Sequence, residues 1–317
     1  MKYKIFFLFL ATTLLAACAT GQPAVHSNSS PTEQPLPTQT IPAPATEAID
    51  SVSTVSPSFE LTATPASLVL NAEDWKSWPV IPELSPQMQD VYVKGLELGR
   101  DSRVVSVVGD CESSSDWFLK DFSKGERYYD LGQYASLQKT IDYFNPSLGY
   151  QSYAAFRGAT AVTVLTALWA DPKACDSGET PLACEYRKHN PSFAFIALGT
   201  NDVHKREQFE KRLRQIIEYT LDQGIVPILA TKADNAEGDE SINFTIAQLA
   251  VEYSVPVWNF WGAVQALPDQ GLQEDGVHLT FASNDFSDSK KLQRAWPVRN
   301  LTALQVLEAL RLMAVQE

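Results

Sequence analysis

The chain carries no lysine or arginine between Lys4 and Lys76, and acidic residues outnumber basic ones over its whole length. Its 25 lysines and arginines against 38 aspartates and glutamates give a formal net charge of −13 at pH 7. Such a chain is repelled by phosphate backbones and by anionic lipid headgroups. The composition therefore argues against a nucleic-acid-binding protein and against peripheral adhesion to an acidic membrane.

Sequence motifs that hold phosphates or metals are also missing. The sequence has no glycine-rich loop of the phosphate-binding type, no zinc-type spacing of cysteine or histidine, and no evident internal repeat. It contains only four cysteines and four histidines. We therefore expect no metal and no other cofactor, and any chemistry is expected to come from side chains alone.

The N-terminus holds an apolar run that is too short to cross a bilayer. Lys2 and Lys4 precede the apolar stretch 5–15, whereas a hydrocarbon core of roughly 30 Å needs a longer one. The sequence LAAC then ends at Cys18 and resembles a bacterial lipobox, in which the cysteine is lipidated and becomes the new N-terminus. Ordinary signal cleavage with an incidental cysteine is the alternative. The resemblance implies that residues 1–18 are a lipoprotein signal peptide and that the protein is extracytoplasmic, anchored to the cell membrane through Cys18.

Two further regions follow the signal. Residues 19–72 consist largely of proline, threonine, serine and alanine and show no apolar periodicity. A segment of this kind cannot bury enough surface to offset the entropy lost on ordering, so we predict a disordered tether. Residues 73–317 remain, and they are long enough for one α/β domain with a substantial core.

Apolar runs typical of buried strands alternate with helical patterns through this domain. Predicted strands cover residues 104–108, 192–198, 225–231 and 255–260. Predicted helices cover residues 136–144, 159–169, 209–221 and 242–253 and a last stretch that begins near Pro297. Alternation of this kind predicts a parallel sheet with helices on both faces. Ligands of such sheets bind at the carboxyl ends of the strands, so the residues that follow each strand are the candidates for function.

Polar segments with complementary chemistry follow three of the strands. VVGDC ends at Cys111, LGTND contains Asn201, and DGVHLT contains Asp275 and His278. A nucleophile needs a base, the base needs a carboxylate that orients it, and an acyl-transfer intermediate needs donors to its oxyanion. We assign these tasks to Cys111, His278, Asp275 and the side-chain amide of Asn201, in that order.

These segments resemble the conserved blocks of the SGNH/GDSL hydrolases. VVGDC resembles the first block, with cysteine where the family has serine; LGTND and DGVHLT are close matches to the asparagine and aspartate–histidine blocks; and YAAFRGATA offers Gly158, ahead of a predicted helix, for the glycine block. The resemblance covers about Val104–Thr280. It implies a flavodoxin-like three-layer α/β/α sandwich and an acyl-ester hydrolase or transferase that acts on small-molecule, lipid or glycan esters. It also implies that the backbone amides of Cys111 and Gly158 and the side chain of Asn201 hold the oxyanion.

Three interpretations of Cys111 remain open at this point. It is a working nucleophile, whose thiolate is favoured by the N-terminus of the following helix and by His278. Alternatively, the hydrolase has lost its chemistry and is a catalytically silent lipoprotein that binds a glycan or a small molecule. In the third interpretation Ser113, Ser114 or Ser115 replaces the cysteine, although these serines are expected to cap the helix.

The remaining cysteines and histidines are assigned structural tasks. Cys175 and Cys184 flank a loop that contains glycine and proline, and outside the cytoplasm they are expected to form a disulfide, which leaves Cys111 as the free thiol. His189 is expected in a charged loop and His204 in the first turn of a helix, both solvated.

Five aromatic residues near the predicted strand ends are candidates either for the lining of a pocket or for the core. They are Trp117, Phe118, Tyr150, Tyr153 and Trp169.

Overall fold

The computed structural model describes residues 70–114 and 116–315. The chain divides into two units, residues 1–62 and 63–317, and every described residue belongs to the second. The predicted signal peptide, Cys18 and nearly all of the predicted tether therefore lie outside the described residues. Within the described ranges, no helix is both long and apolar enough to cross a membrane.

Four parallel strands form one sheet in the order β1-β2-β3-β4. They are β1 Asp101–Gly109, β2 Pro191–Ala197, β3 Val226–Ala230 and β4 Val257–Trp258. All four predicted strands are present, but β4 is shorter than predicted because a helix begins at Phe260. Nearly every residue of β2 and all of β3 and β4 are buried, which is typical of a parallel sheet covered on both faces. The predicted parallel α/β fold is confirmed.

Helices surround this sheet. The α-helices of the described residues are α1 Pro86–Glu97, α2 Cys111–Ser114, α3 Lys120–Ser123, α4 Gln138–Leu148, α5 Pro181–His189, α6 Arg206–Asp222, α7 Ser241–Tyr253, α8 Phe260–Val264 and α9 Ala295–Ala314. The apolar faces of the longest helices are buried: Phe209, Leu213, Ile216 and Ile217 on α6, and Leu301, Leu304, Leu307 and Leu310 on α9. These amphipathic faces belong to the same hydrophobic core as the strands of the sheet.

The helix predicted over residues 159–169 is absent. The segment instead forms two short 3₁₀ turns, Thr163–Leu165 and Ala167–Trp169. Thr160 and Thr163 bond to each other reciprocally: the backbone amide of each donates to the hydroxyl of the other, at 2.8 and 3.1 Å. Such local bonds compete with the helical ladder, so a segment that is apolar enough for a helix remains a loop.

A disulfide joins Cys175 to Cys184, as the sequence predicted. Cys184 lies within α5 rather than in a loop, because Thr180 caps that helix through a bond from the amide of Ala183. The bridge therefore fastens the preceding surface segment to a buried helix. Among the described residues, Cys111 is the free thiol.

Candidate active site

Cys111 lies at the carboxyl end of β1, as the first residue of α2. The turn between strand and helix is tight: a Cβ on Gly109 would lie 2.3 Å from Oγ of Ser113. Only glycine therefore fits at the last position of β1. The result is a half-buried thiol at the edge of the sheet where parallel α/β proteins bind ligands.

The environment of Cys111 disfavours the thiolate. Burial raises the pKa of the thiol, and the carboxylates of Asp110 and Glu112 raise it further. The sequence had suggested the opposite direction, from the N-terminal charge of a helix. Because α2 is only four residues long, its dipole is too weak to outweigh burial and two adjacent carboxylates.

His278 and Asp275 form the dyad that the sequence predicted. Nδ1 of His278 lies 2.6 Å from Oδ2 of Asp275. The other carboxylate oxygen of Asp275 accepts the backbone amides of Val277 and His278, each at 3.0 Å. These bonds, above all the one with the imidazole, hold the pKa of Asp275 down at about 2, so the carboxylate stays ionised. Because Nδ1 is engaged, Nε2 is the ring nitrogen left for proton transfer.

A hydrogen bond joins the loop that carries His278 to α2, which begins at Cys111. The backbone amide of Leu279, the residue after His278, donates to Oε1 of Glu112 at 3.0 Å. Glu112 is the residue after Cys111. Leu279 and Glu112, which are far apart in the chain, are thereby in contact near the carboxyl end of β1. In the described residues, the structure records no direct hydrogen bond between the Cys111 thiol and His278.

The carboxyl group of Glu112 is enclosed, although the residue as a whole keeps some solvent exposure. Burial raises its pKa to about 8, against the opposing attraction of Arg299. At pH 7 most molecules therefore hold this group as a neutral acid. Neighbouring Asp110 is buried too, and burial likewise raises its pKa.

Arg299 is buried behind α2, and its positive charge opposes the negative charge of these acids. Its guanidinium carbon lies 4.8 Å from the ring centres of Phe118 and Phe260 and 5.0 Å from that of Trp258. Such cation–π contacts stabilise a cation that is withdrawn from water. Burial lowers the pKa of Arg299, and the charges of Glu112 and Asp110 oppose that shift.

Residues 153–169, which contain Gly158 and are called the glycine loop, lie beside β1 on the edge away from β2. The amide of Gly109 donates to Ala154, and the carbonyl of Gly109 accepts the amide of Phe156, at 3.1 and 3.2 Å. Gly158 follows with φ of +76°, a conformation that side chains rarely adopt. The loop thus brings exposed Gly158 toward the strand end that carries Cys111, although it does not open a helix as predicted.

Asn201 and Asp202 hold the glycine loop in place. Nδ2 of Asn201 donates to the carbonyl of Ala159 at 3.1 Å, which uses one of its two N–H groups. The buried carboxylate of Asp202 accepts the amide of Ala161 at 3.1 Å. Asp202 does not cap the helix that follows it, whose N-cap residue is Lys205. Burial raises its pKa to about 6.

The serines next to Cys111 are engaged elsewhere. Ser113 is buried, and its hydroxyl accepts a bond from Arg299 at 3.4 Å. The hydroxyl of Ser114 donates to the carbonyl of Cys111 at 3.2 Å. Ser115 lies outside the described residues. The contacts of Ser113 and Ser114 do not support either as a substitute nucleophile.

His189 and His204 differ from their predicted positions. His189 is the last residue of α5, its side chain is only 14% exposed, and its Nδ1 lies 2.8 Å from the buried carboxylate of Glu185. It is therefore packed rather than solvated. His204 is exposed and lies just before α6 rather than in its first turn.

One group of potential metal ligands occurs in the described ranges: Cys175, Glu179 and Cys184. Both sulfurs are joined in the disulfide, so neither can offer a thiolate. This group does not make a metal site.

No family model matches the chain, and no curated protein matches it. Among solved structures, it is similar to a GDSL-like lipase from Bacteroides thetaiotaomicron VPI-5482, with 16% identity, a TM-score of 0.41 and coverage of 70% of this chain and 97% of that one. It is also similar to a catalytic mutant of Axe2, an acetylxylan esterase from Geobacillus stearothermophilus, with 16% identity, a TM-score of 0.41 and coverage of 64% and 93%. TesA matches with 18% identity, a TM-score of 0.39 and coverage of 65% and 99%.

The first of these neighbours is a GDSL-like lipase and the second an acetylxylan esterase. At such TM-scores the likeness carries no argument about function.

The sequence analysis did not identify two residues of the site, Glu112 and Arg299. No local sequence pattern marks Glu112, since its partner Leu279 is distant in the chain. Arg299 had one: it is a lone charge among the apolar residues AWPVRNLTAL of the last helix. A cation in the buried face of a helix predicts a buried anion nearby.

Proposed function

We propose that this chain is an acyl-ester hydrolase with Cys111 as nucleophile, His278 as general base and Asp275 as the carboxylate that orients it. The observation that supports the proposal is the bond from Leu279 to Glu112, because it joins the residue after His278 to the residue after Cys111, the only free thiol of the described residues. In this proposal the nucleophile, the base and the orienting carboxylate act together at the carboxyl end of β1.

In the acylation step, Nε2 of His278 takes the thiol proton as sulfur bonds to the ester carbonyl carbon. The carbonyl π electrons move onto oxygen, which becomes the oxyanion. When the intermediate collapses, the C–O bond breaks and the imidazolium returns its proton to the leaving alcohol. Asp275 is ionised throughout and stabilises the imidazolium that forms in between.

In the deacylation step, water attacks the thioester carbonyl while His278 accepts a water proton. The C–S bond then breaks, the acid leaves, and sulfur regains a proton from the imidazolium. We assign the oxyanion to the backbone amides of Cys111 and Gly158 and to the remaining N–H of Asn201. The bonds from Asn201 and to Asp202 would fix the distance between these donors.

The raised pKa of Cys111 has a kinetic consequence in this proposal. A thiol that is not ionised beforehand depends on His278 for each deprotonation, as a serine does. Activity should therefore rise as the pH increases above neutrality, since a higher pH relieves that dependence.

Residues 1–18 are proposed to export the protein, and Cys18 is proposed to carry the lipid that retains it on the cell membrane, facing outward. Residues 19–72 would then serve as a spacer between membrane and enzyme. These parts of the proposal rest on the sequence alone.

A second candidate function is a silent binding protein that has kept the site. The specific observation in its favour is again the raised thiol pKa, because an activated cysteine usually has a lowered one.

Full-length protein in detergent, assayed on p-nitrophenyl esters and on acetylated sugars beside His278→Ala, separates the two candidates. Turnover that falls by about 10²-fold or more in the variant supports the hydrolase. Ligand binding that survives the substitution, with no turnover in either protein, supports the binding protein.

A further inference from the structure

Exposed aromatic rings lie on the segment that follows Cys111 and on the segment that follows His278. Trp117 and Phe281 are 48% and 53% exposed, and their ring centres lie 4.6 Å apart. Trp117 follows Cys111 closely in the chain, and Phe281 follows His278. We call this pair the first platform.

A second platform lies on the glycine loop. Phe156 and Trp169 stack nearly parallel, with ring planes 6° apart and ring centres 6.1 Å apart, and Trp169 is 55% exposed. The amide of Phe156 donates to the carbonyl of Gly109, so this platform is attached to the strand end that carries Cys111. The first platform thus lies on the segments that follow Cys111 and His278, and the second lies on the glycine loop.

The rings of the first platform are held from beneath. Trp117 packs edge-on against Trp296, which is buried, with ring centres 5.6 Å apart. The carbonyl of Trp117 accepts a bond from the side chain of Asn300 at 2.7 Å, in the buried part of α9. These contacts hold Trp117 in place while about half of its surface stays exposed to water. Large apolar surface that is held open beside a reactive site is typical of a ligand-binding surface.

From these rings we infer that the two platforms bind sugar units of a neutral O-acylated glycan, with its ester at Cys111. The ester part of this inference rests on the proposed function, whereas the stacking part does not. The face of a sugar ring carries C–H groups that pack on an aromatic face, while its hydroxyls point outward and stay hydrated. A ligand of this kind needs one covered face, which is what an open platform offers.

A long acyl chain fits the same surface poorly. A methylene contributes its full hydrophobic free energy only when it is withdrawn from water on all sides, and an open platform covers one side. One small cavity next to α2 has a volume of ≈ 20 Å³, and its lining includes the charged residues Asp110, Lys232 and Arg299. It holds about one water molecule and no acyl chain. A short acyl group on a surface-bound sugar suits this geometry.

The negative charge of the protein favours neutral glycans over anionic ones as ligands. Glu274 and Asp275 are exposed beside His278, and the chain as a whole has a net charge of −13. Anionic polysaccharides and anionic lipid surfaces would be repelled at low ionic strength.

Binding is tested apart from chemistry with full-length Cys111→Ala protein in detergent. Its electrophoretic retardation is measured in native gels that contain xylan, hydroxyethyl cellulose or, as the anionic comparison, polygalacturonate. We expect retardation by at least one neutral glycan. Adding Trp117→Ala or Trp169→Ala should raise the apparent dissociation constant about ten-fold, the scale of one lost aromatic stacking contact. Tyr128→Ala is the matched control, since Tyr128 is an exposed ring that contacts Arg127 and Lys124 instead.

The kinetic arm uses protein with Cys111 intact. The ratio of kcat/KM on acetylated xylan to kcat/KM on p-nitrophenyl acetate should fall about ten-fold in Trp117→Ala and Phe281→Ala, and the fall should be smaller in Trp117→Phe. The last variant also guards against a folding defect, because it keeps a ring against Trp296.

The outcomes separate this inference from the proposed function. Absence of retardation by every neutral glycan, together with hydrolysis of p-nitrophenyl acetate, overturns the platforms and leaves the esterase. Ring-dependent retardation without turnover of any ester supports the platforms and removes the esterase. A preference for p-nitrophenyl palmitate that depends on Trp117 would identify an acyl chain as the occupant and refute the glycan.

Discussion

Glu112→Gln perturbs the contact on which the site depends while preserving its geometry. The amide oxygen of glutamine can still accept the backbone amide of Leu279, which lies 3.0 Å from Oε1 of Glu112 in the wild type. The substitution removes a carboxyl group that can titrate. Burial raises the pKa of that group from 4.5 to about 8 in the wild type.

The sign of the stability effect follows from proton binding. Between pH 4.5 and about 8 the native state holds the proton of Glu112 and the unfolded chain has released it. The wild type therefore loses stability from this group as the pH rises through that window, at about 1.4 kcal/mol per pH unit. The whole window corresponds to roughly 5 kcal/mol, and the attraction of Arg299 is already reflected in the pKa of about 8.

Urea unfolding of both proteins at several pH values measures this contribution. The free energy of unfolding of Glu112→Gln minus that of the wild type should increase from pH 5 to pH 8 and stay level above pH 8. Other titrating groups, such as Asp202, are common to both proteins and cancel in the difference. A difference that is independent of pH, or that shrinks as the pH rises, would refute the enclosed neutral acid. Because ionised Glu112 also raises the pKa of Cys111, iodoacetamide should label the variant faster than the wild type at pH 9.

Three further predictions concern the anchor, the bridge and the glycine loop. Cys18→Ser should release the protein from the membrane fraction or leave it as unprocessed precursor; mature-sized protein that remains in the membrane would contradict lipidation. Cys175→Ser with Cys184→Ser should lower the free energy of unfolding by roughly 2–3 kcal/mol, as expected for a loop of this length, and alkylation of unreduced, denatured wild type lacking Cys18 should find one thiol rather than three. Asp202→Ala leaves the amide of Ala161 without its acceptor, so it should lower the free energy of unfolding by about 1–3 kcal/mol and lower kcat. Asp202→Asn keeps an acceptor and should recover most of the loss. Equal effects of both variants would show that the bond does not matter.

Local patterns in the sequence predicted the sheet well, because each strand is a continuous apolar run and its burial follows from composition alone. The Asp275–His278 pair was also within reach, since its two members are on one loop and need no tertiary contact to meet. The false helix over residues 159–169 arose because apolar content was read without the hydroxyl bonds of Thr160 and Thr163.

Non-local contacts were beyond sequence reasoning. The pKa of Cys111 depends on burial and on where the carboxyl groups of Asp110 and Glu112 point, and neither is encoded in spacing. His189 was assigned to solvent because its neighbours in sequence are charged, yet Glu185, one helical turn earlier, binds it in a nearly buried position. Tertiary enclosure, rather than local composition, decided each of these cases.

The most direct test of the account is to trap an acyl group on Cys111. Wild-type protein mixed rapidly with p-nitrophenyl acetate and quenched in acid within one turnover should gain the mass of one acetyl group, and peptide mapping should place it on Cys111. The rate of its appearance should match the release of the first equivalent of nitrophenol and should fall in His278→Ala. Steady turnover with no acyl group on Cys111, or with activity retained in Cys111→Ala, would contradict the assignment of the nucleophile.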